Sequence, residues 1–138
     1  MGSKATTPEW QRVYTVNEYY DGEVFGLADF GGQPHAYDRE WDTNANEYGS
    51  HFLLAPVEPD LLALVLEDWE IWLRWQAAYI QKLATHETHP ALPEERERHE
   101  ALQVLMGDRL EAKRCGALRV SGKFRYRDGI TEVRWSNA

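Results

Sequence analysis

One carboxylate stands among aromatic side chains in a pattern that could bind a ligand. Residues 59–84 read as a long helix that carries three of the six tryptophans. A step of about 100° per residue places Asp68 between Trp75 and Tyr79, with Trp72 on the same side. A buried carboxylate is costly unless it is paired or hydrogen-bonded, and aromatic faces attract cations. The pattern therefore predicts either a structural carboxylate, which is bonded to a Tyr, Trp or Arg side chain or lies where the aromatic arc is exposed, or a pocket for a cationic or donor-rich ligand.

Basic residues concentrate near the C-terminus and could bind an anion. Residues 109–134 contain eight Lys or Arg against three Asp or Glu, whereas the rest of the chain has seven against twenty. Alternate residues of a strand share one face. The basic positions of that face are Arg119, Lys123, Arg125 and Arg127. They indicate a solvated outer face or a nucleic-acid surface, on which Tyr126 and Trp135 could stack bases. The net charge of −8 disfavours nucleic acid, because phosphate attraction sums over the protein.

Acidic residues concentrate in the first predicted hairpins and could meet a protein partner. Exposed carboxylates steer the approach of a basic surface and select against acidic ones. The residues predicted to bind the partner are Asp21, Glu23, Asp38, Glu40 and Asp42, with Asp29 nearby.

Metal and covalent chemistry find little support in the sequence. His86 and His89 form an HxxH, but Pro90 and Pro93 place it in a loop without fixed geometry, and it does not match HExxH. Cys115 is the single cysteine, and no GxSxG or phosphate-binding glycine motif is present. We therefore expect no metal site, no cofactor and no catalytic residues, that is, a protein that is not an enzyme.

Length and composition predict the class of protein. The 138 residues fit one domain, and 43% hydrophobic residues argue against disorder. A single cysteine favours a reducing compartment, and no apolar run reaches the length of a membrane span. We expect a flexible tail over residues 1–9, one domain over residues 10–138, a cytoplasmic location and no membrane partner.

The order of elements predicts an α+β fold. Strands are expected at residues 12–20, 23–30, 33–42 and 51–57, and two more in the C-terminal hairpin, with tight turns at the Asp-Gly and Gly-Gly pairs. Helices are expected at residues 59–84 and 93–106, with Gly107 ending the second. The predicted architecture is a twisted antiparallel sheet or a small half-open barrel with a two-helix insertion at about residues 59–107. By topology it resembles an SH3-like barrel, and this resemblance implies no function.

The sequence also makes two local predictions. Leu62, Leu66, Leu73 and Ile80 fall on one line of the long helix, which is expected to be wrapped by other elements. Gly26 interrupts a strand and indicates a bulge or a close backbone approach.

The sequence favours a small cytoplasmic binding or regulatory protein. The main hypothesis is an inhibitor, an immunity-type protein or an adaptor that binds a protein partner through its acidic residues. One alternative is a small-ligand binder with the pocket around Asp68, and another is nucleic-acid binding through the basic C-terminal hairpin. A homodimer seam on an exposed part of the aromatic helix also stays open.

Overall fold

The computed structural model describes residues 9–16, 23–111 and 117–137. Its contacts divide the chain into two compact units. One unit combines the strands before residue 58 with those after residue 110, and the other is Glu58–Leu110. Neither helix of the described chain has the length and apolar character that a membrane crossing requires.

The strand unit is a closed antiparallel barrel. The strands are β1 (Gln11–Val16), β2 (Phe25–Phe30), β3 (Gln33–Asp42), β4 (Glu47–Pro56), β5 (Leu118–Arg127) and β6 (Ile130–Asn137). Each strand pairs with the next one in the chain, and β1 pairs with β6 to close the cylinder. The predicted α+β barrel with a helical insertion is therefore confirmed, and the barrel is closed rather than half-open.

Turn chemistry explains two of the hairpins. Gly31 and Gly32 join β2 to β3 with φ of 61° and 77°, and Asp128 and Gly129 join β5 to β6 with φ of 54° and 80°. Two successive positive φ values match the right-handed twist of paired strands, which is why such Gly-containing pairs form tight hairpins. The third strand has the predicted bounds. The fourth begins at Glu47 rather than at residue 51, because the polar stretch before residue 51 pairs with β3.

Aromatic residues fill the barrel interior. Tyr37, Phe52, Phe124 and Trp135 lie with their ring centroids between 5.3 and 6.3 Å apart. Aliphatic side chains of the same cluster complete the packing, and the Trp135 indole donates a hydrogen bond to the Asp29 carbonyl at 2.9 Å. This core accounts for the alternation of apolar and polar residues along β5 and β6.

Gly26 permits a close approach between β1 and β2, as predicted. A Cβ atom at this position would overlap the carbonyl group of Thr15 and would lie 2.8 Å from the Tyr37 hydroxyl oxygen. The β1–β2 register shifts between Val13 and Thr15. The Tyr37 hydroxyl donates to the Thr15 carbonyl at 3.0 Å, and the Thr15 hydroxyl accepts the Leu27 N–H at 3.0 Å. These bonds satisfy polar groups that barrel closure buries.

The helical unit consists of two helices and a connecting segment with two 3-10 turns. The helices are α1 (Pro59–Ile80) and α2 (Arg96–Met106), and the turns are His86–Thr88 and Pro93–Glu95. Pro59 begins α1 at a position where a missing N–H costs nothing. Gly107 follows α2 with φ of 51°, as its predicted role requires. The predicted extension of α1 to residue 84 is wrong, because the chain turns at Lys82, where φ is 64°.

The buried side of α1 differs from the predicted line. Leu61, Val65, Ile71 and Trp75 are buried, whereas Ile80 is 71% exposed. The buried side chains of α1 therefore all lie before residue 76. An apolar arc that covers most of a helix does not define which part of it faces the core.

Candidate functional site

The outer face of β1, β5 and β6 gathers cations and aromatic rings. Residues that alternate with the buried Val133 and Trp135 point away from the core. In register, Lys123 lies opposite Arg134, and Arg125 lies opposite Glu132. The residues of this surface, which we call the basic face, are Trp10, Arg12, Tyr14, Lys123, Arg125, Arg127, Glu132 and Arg134.

Guanidinium groups lie over both aromatic rings of the basic face. Over the Trp10 ring, the central guanidinium carbons of Arg125 and Arg134 lie 4.0 and 4.7 Å from the centroid. That of Arg12 lies 4.2 Å from the centroid of Tyr14. Burial, and then the hydrogen bond that Tyr14 donates to Asp29 at 2.8 Å, raise the pKa of the Tyr14 phenol. The rings are thus held in fixed positions within a positive surface.

Two predicted contributors to this surface lie elsewhere. The prediction that Trp135 stacks on bases is wrong, because the side chain is 1% exposed and belongs to the core. Arg119 pairs with Glu40 of β3, with its Nε 2.9 Å from a carboxylate oxygen. The sequence pattern did not assign Trp10 to this surface, because Trp10 precedes β1 by one residue and is distant in the chain from the C-terminal hairpin.

A second surface lies at the end of the β3–β4 hairpin. Trp41 and Tyr48 are cross-strand partners, and their ring centroids lie 5.0 Å apart in an edge-to-face arrangement. Trp41 is 49% exposed, which is high for so large an apolar side chain. A depression of about 350 Å³ adjoins it. The lining residues are Glu40, Trp41, Asp42, Thr43, Gly49, Ser50, His51 and Arg119. We call these lining residues, together with Tyr48 and Glu47, the hairpin tip.

The hairpin tip is acidic and internally braced. Asp42 lies opposite Glu47, and the Asp42 carboxylate accepts the N–H groups of Asn44 and Ala45 at 3.0 and 3.2 Å. Arg39 donates to the Gly49 carbonyl at 2.6 Å. Side-chain acceptors that bind the backbone two and three residues ahead stabilise a turn. The exposed Trp41 therefore lies near the end of β3, next to a turn with a defined shape.

Three of the five residues predicted to bind a partner lie on β3. Asp38, Glu40 and Asp42 alternate along β3, so the pattern extends to the hairpin tip. Glu23 lies before β2 and adds negative potential near Tyr37, whose pKa is raised first by burial and second by Glu23. Asp21 lies outside the described residues. The structure thus brings Glu40 and Asp42 together with Trp41, while the role of all five stays a prediction.

Asp68 bonds to α2. One of its carboxylate oxygens lies 2.6 Å from His99 Nδ1, and the other accepts a hydrogen bond from the Gln103 amide at 3.0 Å. The side chains of Asp68 and His99 are only 19% and 14% exposed. By helical spacing, Asp68 lies on the same side of α1 as the buried Leu61, Val65 and Trp75. Its partners are His99 and Gln103 rather than the Tyr, Trp or Arg side chain that the sequence predicted.

The aromatic residues predicted beside Asp68 contact other parts of the helical unit. Trp75 stacks on Tyr79 with centroids 5.0 Å apart, and its indole donates to the Thr88 hydroxyl at 3.0 Å. Trp72 stacks on Trp69 at 4.9 Å. The structure therefore separates the contacts of Asp68 from those of the Trp75–Tyr79 pair, and the predicted ligand-binding role of this set stays a prediction.

The two histidines of the HxxH pack against this aromatic pair. The Tyr79 hydroxyl lies 2.7 Å from His86 Nε2, and the His89 ring meets Trp75 edge-on at 4.7 Å. Burial, followed by the charges of His86, His99 and Arg96, lowers the pKa of His89. Among the described residues no three His, Cys, Asp or Glu side chains form a group that could hold a metal ion.

Comparison of the chain with protein-family models, with curated proteins and with solved structures finds no match.

Proposed function

We propose that this protein is a small binding protein that docks on a basic surface of a protein partner through the hairpin tip. The observation that supports this most is Trp41, which is half exposed near the end of β3, next to a braced turn and carboxylates. Exposed aromatic side chains next to a depression are the residue type that dominates binding energy in protein interfaces.

Charge determines the kind of partner. Strands β2, β3 and β4 carry one arginine and five carboxylates, namely Arg39 against Asp29, Asp38, Glu40, Asp42 and Glu47. A partner with Lys or Arg residues around an apolar centre would bind favourably for two reasons. Its cations would attract the carboxylates at the rim, and Trp41 would be removed from water at the centre. The depression beside Trp41 could admit one long basic side chain, whose cation would lie near Asp42 and the indole ring. An inhibitor or adaptor that covers a basic site on another protein would act in this way.

A site-specific crosslinking experiment tests the proposal. A photoreactive amino acid replaces Thr43 at the hairpin tip or, as the control, Tyr126, which is 74% exposed near the β5–β6 turn. Crosslinking in native cells should join one basic protein to position 43 and not to position 126. The captured protein is then purified for measurement of its affinity.

The affinity measurement uses two aromatic variants. Trp41→Ala should weaken binding of the purified partner by about 30-fold or more, equivalent to about 2 kcal/mol, because a central aromatic anchor is lost. Tyr126→Ala removes a more exposed ring from another hairpin and should leave the affinity within about twofold. Equal effects of the two substitutions, or crosslinks of the same protein from both positions, would contradict the proposal.

A further inference from the structure

The barrel separates its charges by strand. Strands β5, β6 and β1 are neighbours in the closed order and together carry six cations and one carboxylate, whereas β2, β3 and β4 carry one cation and five carboxylates. Although the net charge of the chain is −8, strands β5, β6 and β1 therefore have a local surplus of five positive charges. Because exposed charges are screened beyond about 10 Å at 0.1 M salt, a ligand at the basic face responds mainly to the local surplus.

Most cations of the basic face are not neutralised by the described residues. Glu132 pairs with Arg125 at 2.8 Å. Four further cations, Arg12, Lys123, Arg127 and Arg134, form no ion pair with any residue that the structure describes, and all four are exposed. Side chains of this kind attract a polyanion without first breaking an internal salt bridge.

The basic face also supplies aromatic surface. Tyr14 lies on β1 with Arg12, and Trp10 immediately precedes that strand. The Trp10 ring is in contact with cations of both β5 and β6. Rings interleaved with cations are the combination by which proteins bind single strands, since bases stack on rings while phosphates meet Lys and Arg. A bare polyphosphate would use the cations alone.

The dimensions fit a short single strand. From Lys123 to Arg127 the face measures about 13 Å along β5, and three strands span about 10 Å across. About four stacked nucleotides, at roughly 3.4 Å each, cover that length.

We propose that the basic face is a binding site for single-stranded nucleic acid, with Lys123, Arg127, Arg134 and Arg12 contacting phosphates and Trp10 stacking on a base. This surface is distinct from the hairpin tip, and its function does not depend on the protein partner proposed above. Its stacking residue is Trp10, whereas the sequence predicted Trp135, which is buried.

The test measures the fluorescence anisotropy of a labelled 12-nucleotide oligo-dT with the full chain at several NaCl concentrations. With about four phosphates neutralised, the logarithm of the association constant should fall against log salt with a slope of about −3. The double variant Lys123→Ala/Arg127→Ala should halve that slope and weaken binding about tenfold or more at low salt. Neither residue has an ion pair with a described residue, so the barrel should keep its circular dichroism spectrum and melting temperature.

A charge-matched variant distinguishes the loss of the binding site from the change in net charge. Lys82→Ala/Arg98→Ala also removes two positive charges, but both lie in the helical unit. It should bind oligo-dT within about twofold of the unmodified chain. Equal losses in the two double variants would overturn the proposal, as would absence of binding at 20 mM NaCl.

Substitution of Trp10 distinguishes a nucleic-acid site from a site for anions in general. Trp10→Ala should weaken oligo-dT binding about fivefold or more, because base–aromatic stacking is lost, while Trp10→Phe should retain most of the affinity. Inorganic polyphosphate of similar length should bind both variants equally. If Trp10→Ala left oligo-dT binding unchanged, the face would be a site for anions in general, and the proposal of a nucleic-acid ligand would be overturned.

Discussion

At the residue scale, the contact between Gly26 and Thr15 limits which side chains the barrel accepts. The two strands approach so closely that the Cβ of an alanine would overlap a backbone carbonyl, and backbone cannot rotate aside as a flexible side chain does. Gly49, in contrast, has its nearest atom at 3.6 Å from the position of an added Cβ. The two glycines therefore form a natural pair for comparison.

We expect Gly26→Ala to lower the free energy of unfolding by about 3 kcal/mol, because the strands must separate to admit the methyl group. Gly49→Ala should change it by about 0.5 kcal/mol or less. Urea unfolding followed by tryptophan fluorescence measures both. A tolerated Gly26→Ala would mean that β1 and β2 are farther apart than the structure places them.

Tyr37 couples barrel stability to alkaline pH. Burial holds its pKa above the ordinary value of 10, since the ionised phenolate is disfavoured inside the core. Between the unfolded and the folded pKa, the folded state binds more protons than the unfolded state. The contribution of this group is therefore complete below pH 10 and is lost as the pH rises above it.

Tyr37→Phe tests this coupling. At pH 7 the variant should be about 1 kcal/mol less stable, because the Thr15 carbonyl loses its hydrogen bond. Above pH 10 its stability should fall less steeply with pH than that of the unmodified protein. Unfolding by urea at pH 7, 9, 10 and 11 gives both quantities, and parallel pH curves would contradict the assignment.

At the scale of elements, polar contacts connect α1 to α2. Asp68 meets His99 in a place where both side chains are largely covered, and Glu67 meets Arg98 one residue away at an exposed position. Arg98 holds the pKa of Glu67 below its ordinary value by a hydrogen bond. The two pairs join the same helices and differ in exposure, which makes them a matched comparison.

Double-mutant cycles should give different coupling energies for the two pairs. For Asp68→Ala with His99→Ala we expect a coupling of about 1 to 2 kcal/mol, because a partly buried partner is left without its hydrogen bond. The coupling of Glu67 with Arg98 should be smaller and should vanish in 1 M NaCl, since solvent and salt screen exposed pairs. The free energy of unfolding of the helical unit, read by circular dichroism at 222 nm, is the measurement. Equal couplings that both vanish in salt would show that Asp68 is no more than a surface residue.

The elements themselves could be predicted well where local chemistry determines them. The Gly-Gly and Asp-Gly pairs predicted their hairpins, and Pro59 and Gly107 marked helix ends, because each needs only its own backbone geometry. The partner of Asp68 could not be predicted, since His99 is 31 residues away and meets it only through helix packing. The apolar pattern of α1 likewise could not distinguish the buried Ile71 from the exposed Ile80.

At the scale of the whole molecule, the pairing of β1 with β6 creates features that no segment contains alone. It brings Trp10 to Arg125 and Arg134, more than 100 residues later in the chain, and so completes the basic face. Sequence alternation grouped Lys123, Arg125 and Arg127 on one face of β5, whereas Arg119 of the same strand pairs with Glu40. The aromatic partner of the basic face depends on strand order and register, which are long-range properties.

The insertion of the helical unit between β4 and β5 has a consequence for how the chain is made. These neighbouring strands are separated by residues 57–117, a stretch of 61 residues. At roughly 5 to 20 residues per second, a ribosome takes about 3 to 12 s to synthesise it. During that interval β1 and β4 lie without their partners β6 and β5, while the helices, whose contacts are local, can already form. The nascent chain therefore passes through a stage in which four strands have emerged and their cylinder cannot close.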